Sequence, residues 1–124
     1  ENNSSHIIHN NLFVNSQSNG MGIYGLIDAA TVNITNNTIV GCQLFAIQIN
    51  GKYYETFVKL NNNAFVECYQ KDPSSINYIR IMNNGKVEDS GNKLFDTLIN
   101  AKIDPQNYYQ LLPGSSMGNA GYKH

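Results

Sequence analysis

Three short strand-like stretches, GIYGLI (22–27), AIQIN (46–50) and NYIRIM (77–82), carry the residues best suited to chemistry. With Ile23, Ile47 and Ile79 aligned as the inward residues, Tyr24, Gln48 and Arg80 form one outward row. Arg80 is the only arginine in the chain. Beside this row emerge the segments 51–55 and 69–73, which bring Lys52, Tyr53 and Tyr54. Rings that stack, a cation and amides that both donate and accept are what a sugar polymer needs from a shallow binding surface. The competing reading is an ordinary solvated row on the outside of a sheet.

Reaction chemistry is less complete. β-Elimination from a uronate needs a base for the C5 proton and a cation at the carboxylate. Tyr24, Lys52 and Arg80 are residues of the right kind. Glycoside hydrolysis needs two carboxylates roughly 5–10 Å apart. Glu55, Glu67 and Asp72 are expected on loops or turns with no pairing between them. Calcium wants several converging acidic oxygens, and Glu88 and Asp89, as strand neighbours, point apart. His6 and His9 likewise fall on opposite faces of a strand, so no metal site is expected. No catalytic residue is assigned within this chain. If the parent protein is an enzyme, its centre, and any Ca2+, is expected in repeats upstream of Glu1.

The elements that position these residues come from a repeat. HIIHNNLFVNS (6–16), VNITNNTIVGC (32–42) and VKLNNNAFVEC (58–68) recur every 26 residues, and VEDSGNKLFDT (87–97) is a degenerate fourth copy offset by 29. Stacking the copies gives an amide column, Asn11, Asn37, Asn63 and Asn92, and an apolar column, Phe13, Ile39, Phe65 and Leu94. A third column reads Ser16, Cys42, Cys68 and Thr97. Val32 and Ile34 alternate with Asn33 and Thr35, the period of two of a half-buried strand. β-Branched residues and asparagine disfavour helix. Three short strands per period, without helices, describe a single-stranded parallel β-helix of about four coils.

In such a stack equivalent residues lie about 4.8 Å apart. The sharp turn at Asn-Asn suits the left-handed region that asparagine tolerates, and the stacked amides are expected to form a ladder. The same spacing puts Cys42 and Cys68 within reach of a disulfide. Because Ser16 and Thr97 share their column, the reading adopted is a stack of small residues with free thiols.

The frame V-x-I-x-N-N-x-F/I-V-x-C resembles the repeat of right-handed parallel β-helices of the pectate lyase-like superfamily. The tail YYQLLPGSSMGNAG (108–121) is similar to the L-x-P-G-S-P-A-x-D-x-G ending of chondroitinase B and alginate lyase-like proteins and of uncharacterised Bacteroidetes-type β-helices. Leu112, Pro113, Gly114, Ser115 and Gly121 match that ending, whereas Ser116 and Asn119 stand where proline and aspartate are usual. The resemblance implies coils over 1–99 and a C-terminal cap over 100–124, together the end of a longer chain. Tyr108, Tyr109, Leu111 and Leu112 are expected to fold over the last coil. It also implies a secreted or cell-surface bacterial protein that recognises a polysaccharide, within a polysaccharide lyase or as a non-catalytic binding or adhesive module.

Composition narrows the partners. A net charge of −1 lacks the basic excess that nucleic-acid binding draws on. No apolar run approaches the roughly 18 residues of a membrane span. An uncovered first coil would present core and strand edge, inviting self-association.

Overall fold

The computed structural model describes residues 3–23, 29–68 and 79–123, with side chains placed for 5–23, 30–49, 56–68 and 86–123. The described residues are mostly strand and every pairing between repeats is parallel. The first repeat holds β1 (Asn3–His9), β2 (Leu12–Ser16) and β3 (Met21–Ile23). The second holds β4 (Ala29–Thr35), β5 (Thr38–Cys42) and the start of the long β6 (Ile47–Asn61). The end of β6, then β7 (Ala64–Cys68) and the start of β8 (Ile79–Ser90), form the third. The end of β8 and β9 (Lys93–Phe95) form the fourth.

Each strand pairs with its counterpart one repeat on, so the strands collect into three stacks. In the first, Ile8, Ile34 and Leu60 stand in register and lead to Asp89. The second carries Phe13, Ile39, Phe65 and Leu94 in one row, as the sequence columns require. The third carries Met21, Ile47 and Ile79 in one row and Ile23, Ile49 and Ile81 in the next. Inward residues of all three stacks meet in one core of Val32, Ile34, Ile39, Ile47, Ile49, Val58, Leu60 and Phe65.

Two sequence expectations change here. The third-stack alignment moves by two residues: Gly22, not Tyr24, stands opposite Gln48, which stands opposite Arg80. A slip of two leaves every side chain on its original face, so alternation alone does not reveal it. Segment 51–55 lies within β6 rather than in a loop, and the register shifts between Gly51 and Thr56. Glu55 therefore belongs to strand β6, Glu67 stands at the left-handed kink near the end of β7, and Asp72 lies outside the described residues.

The third change concerns the C-terminal segment. After β9 come α1 (Leu98–Ala101) and a small antiparallel pair, β10 (Ile103–Asp104) and β11 (Gln110–Leu111). Thr97 caps α1, its hydroxyl accepting from the Asn100 amide at 3.0 Å. Among the described residues nothing here lies over the last repeat: Val87 and Leu94, which end two inward rows, stay 42% and 43% exposed. Tyr108, Leu111 and Leu112 are exposed as well.

Instead the segment covers the outer flank of the second stack. Ala101, Ile103, Met117 and Ala120 bury Val40, Ala64 and Val66, which face away from the core. Burying two valines on that flank stabilises by about 1.5–3 kcal/mol each. The last residues then cross the repeats in reverse order. Gly121 N donates to Asn62 O at 2.8 Å, Tyr122 N to Thr38 Oγ1 at 2.9 Å, and Lys123 N to Asn10 Oδ1 at 2.6 Å. Asn36 Nδ2 donates to Asn119 O, and Asn10 Nδ2 returns a bond to Lys123 O. No helix among the described residues is long and apolar enough to cross a membrane.

Candidate functional site

The corner after the first stack and the corner after the second are built differently. Between the first and second stacks, Asn10, Asn36 and Asn62 hold φ of 59, 55 and 57°, with Gly91 at 72°. Asparagine and glycine enter that left-handed region most readily. The next residue in each turn forms the ladder. Asn11 Nδ2 donates to Asn37 Oδ1 at 3.0 Å, Asn37 Nδ2 to Asn63 Oδ1 at 3.1 Å, and Asn63 Nδ2 to Asn92 Oδ1 at 2.9 Å. The same oxygens accept from the backbone N–H of the residue one repeat earlier, at 2.8–2.9 Å. Asn37 and Asn63 are wholly buried and also donate to Ile8 O and Ile34 O. The sequence expected one asparagine to turn and to ladder. The structure divides the work between the two members of each pair.

The corner between the second and third stacks is open. Residues 15, 41 and 67 occupy equivalent left-handed positions, yet they are Asn15, Gly41 and Glu67, with φ of 60, 71 and 54°. The strand register skips this row, resuming at Ser16, Cys42 and Cys68. The kink leaves a groove of about 570 Å³, lined by those three residues together with Gln17, Gln43 and parts of Ser16 and Cys42. Gly41 makes it continuous, because a Cβ there would lie 3.0 Å from Asn15 Oδ1. Glu67 Oε1 accepts from Leu98 N at 3.2 Å, which ties α1 to the groove wall.

Behind the groove, Asn19 spans the corner. Its Oδ1 accepts from Phe45 N at 3.1 Å and its Nδ2 donates to Gln48 Oε1 at 2.9 Å. Gln48 is thus held in place on the outward row, next to Gly22 and Arg80. Tyr24 lies outside the described residues, as do the side chains of Lys52, Tyr53, Tyr54 and Arg80. The groove itself went unread in the sequence because its defining row shares no residue type. A signal was present in Gly41, a glycine inside an otherwise apolar strand, which marks a kink or a close approach.

Cys42 and Cys68 stand in register as free thiols. The Cys68 thiol, hydrogen-bonded to Cys42 and desolvated, is pushed far above the ordinary thiol range. Cys42 is lowered, because Cys68 donates to its sulfur. His9 Nδ1 bonds Thr35 Oγ1 at 2.8 Å, whereas His6 shares a row with Val32 and Val58. No group of three His, Cys, Asp or Glu among the described residues is arranged to hold a metal.

A second recess, of about 270 Å³, lies on the C-terminal segment between Tyr109, Gln110, Leu111, Tyr122 and Lys123. No protein-family model, characterised protein or solved structure matches this chain.

Proposed function

We propose that the stacked repeats form a right-handed parallel β-helix of the pectate lyase-like kind and that this chain is a polysaccharide-binding module of a secreted or surface protein. The observation that carries the binding reading is the groove along Asn15, Gly41 and Glu67. It runs across three repeats, and Gln17 and Gln43 stand one repeat apart in it, about 4.8 Å at the strand spacing. That interval suits an extended chain of sugar rings. Amide side chains donate and accept at once, matching the paired roles of sugar hydroxyls.

Binding is favoured over catalysis for a chemical reason. Glu67 is the single carboxylate among the described residues of the groove, and it is already engaged by α1. Hydrolysis by an acid and base pair calls for two. β-Elimination needs a cation beside its base, and neither lysine nor arginine is among the described residues of the groove.

The test is affinity electrophoresis and titration calorimetry of the chain against neutral and uronate polysaccharides. Asn15→Gly, which keeps the left-handed backbone, and Gln43→Ala should each weaken binding about tenfold, the loss of one net hydrogen bond. A chain that ignores every polysaccharide overturns the proposal. Unchanged affinity in both variants moves the site elsewhere, with the Tyr109 and Tyr122 recess the next surface to substitute.

A further inference from the structure

We propose that Cys42 and Cys68 form a closable dithiol, which a peroxide converts into a disulfide between neighbouring repeats. Three observations carry it, none of which depends on glycan binding. The two residues are register partners on adjacent parallel strands, and both side chains belong to the inner cluster. Their strands lie about 4.8 Å apart, inside the roughly 4.4–6.8 Å between Cα atoms that a disulfide spans. Both residues end their strands directly after a left-handed residue, Gly41 or Glu67, where the ladder is interrupted.

Access completes the case. Cys42, although buried, contributes to the wall of the open groove. The Cys42 side chain belongs to the core cluster, so peroxide reaches its sulfur through a local opening of the strand end beside the groove. The Cys42 sulfur attacks one peroxide oxygen, an S–O bond forms and the O–O bond breaks, leaving a sulfenic acid and one water, with the sulfur oxidised and the peroxide reduced. The Cys68 sulfur then attacks the Cys42 sulfur, the S–O bond breaks, and a second water leaves with the Cys68 proton. The balance is two thiols and one peroxide to one disulfide and two waters. Cys42 acts first because it is the thiol whose ionisation the neighbour favours. Cys68 serves as the resolving thiol, half-buried, with its sulfur 3.4 Å from Ile39 O.

The experiment treats the folded chain with one equivalent of hydrogen peroxide, unfolds it in N-ethylmaleimide and weighs it. Expected are a loss of about 2 Da, no maleimide adduct, and full reversal by dithiothreitol. Crosslinking residues 26 apart should also raise the melting midpoint by about 10 °C. Two maleimide adducts, or a gain of about 16 or 32 Da without closure, overturn the proposal. Cys42→Ser is a second arm, since Ser16 occupies the same row one repeat earlier. Its Cys68 should react at least tenfold more slowly than the wild-type pair. An unchanged rate overturns the assignment of Cys42 as the first sulfur attacked.

Discussion

The corners after the first and second stacks solve the same geometric problem in opposite ways. At the first, every repeat spends an asparagine or glycine on the left-handed turn and an asparagine on the ladder, so each buried amide finds a partner above and below. At the second, the left-handed row changes identity from Asn15 to Gly41 to Glu67, and a groove opens along it. A row that repeats one residue type is consumed by the architecture. A row that varies leaves donors and acceptors facing solvent, available for recognition.

The comparison breaks most visibly at Asn63. Its carbonyl oxygen takes two bonds from Asn37, at 2.9 and 3.1 Å, and its amide donates to Ile34 O and Asn92 Oδ1. Asn63→Ala strands several buried polar groups at once and should cost about 4 kcal/mol. Asn11→Ala removes the exposed end of the same ladder and should cost about 1 kcal/mol. Urea unfolding of both variants measures the gap. Equal losses would mean that burial does not set the worth of a rung.

Next in size is the strap over the second stack. Gly121 holds φ of 83°, and a Cβ there would meet Thr38 Oγ1 at 2.6 Å and Ala64 Cβ at 3.3 Å. Gly121→Ala combines a left-handed penalty with displacement of the strap, about 2–3 kcal/mol together. Limited proteolysis should then cleave the C-terminal segment well before the repeats. A strap cut no faster than in the parent chain would show that its hydrogen bonds to Asn10, Thr38 and Asn62 are dispensable.

How far these features could be read in the sequence follows from the same contrast. The ladder was legible because identical residues at fixed spacing leave one way to stack: Asn37 must sit under Asn63. The third stack was not, because Ile23, Ile47 and Ile79 make an alternation as good as Met21, Ile47 and Ile79, and the two differ by a slip that preserves both faces. The strap was misread for a different reason. Of the four large residues expected to pack, Tyr108, Leu111 and Leu112 are exposed and Tyr109 is half-buried, while Ala101, Ile103, Met117 and Ala120 form the buried contact. The receiving face was nevertheless written down. Runs such as TIV at 38–40 and AFV at 64–66 do not alternate, the mark of a strand buried on both sides.

A subtler test separates stability from recognition. Gln43→Ala alters an exposed side chain of the open corner and should leave stability within about 0.5 kcal/mol, whatever it does to glycan affinity. A larger loss on urea unfolding would mean the second corner is structural after all, and the contrast between the corners would collapse.

The last effect belongs to the junction inside β6, where the register shifts between Gly51 and Thr56. Thr56 is fully buried, and its hydroxyl has no hydrogen-bond partner among the described residues. An unpaired buried hydroxyl opposes folding, whereas a methyl group of the same shape is at home among Val58, Ala30 and their neighbours. Thr56→Val should therefore stabilise by about 1 kcal/mol, opposite in sign to the substitutions in the ladder. The next repeat supplies the partners of Asn37 and Asn63, and the strap supplies that of Thr38, whereas Thr56, between Ala30 and Gly85 in its row, has none from either side. A variant less stable than the parent on urea unfolding would show that the hydroxyl is paired in solution and that this corner, too, satisfies its polar groups.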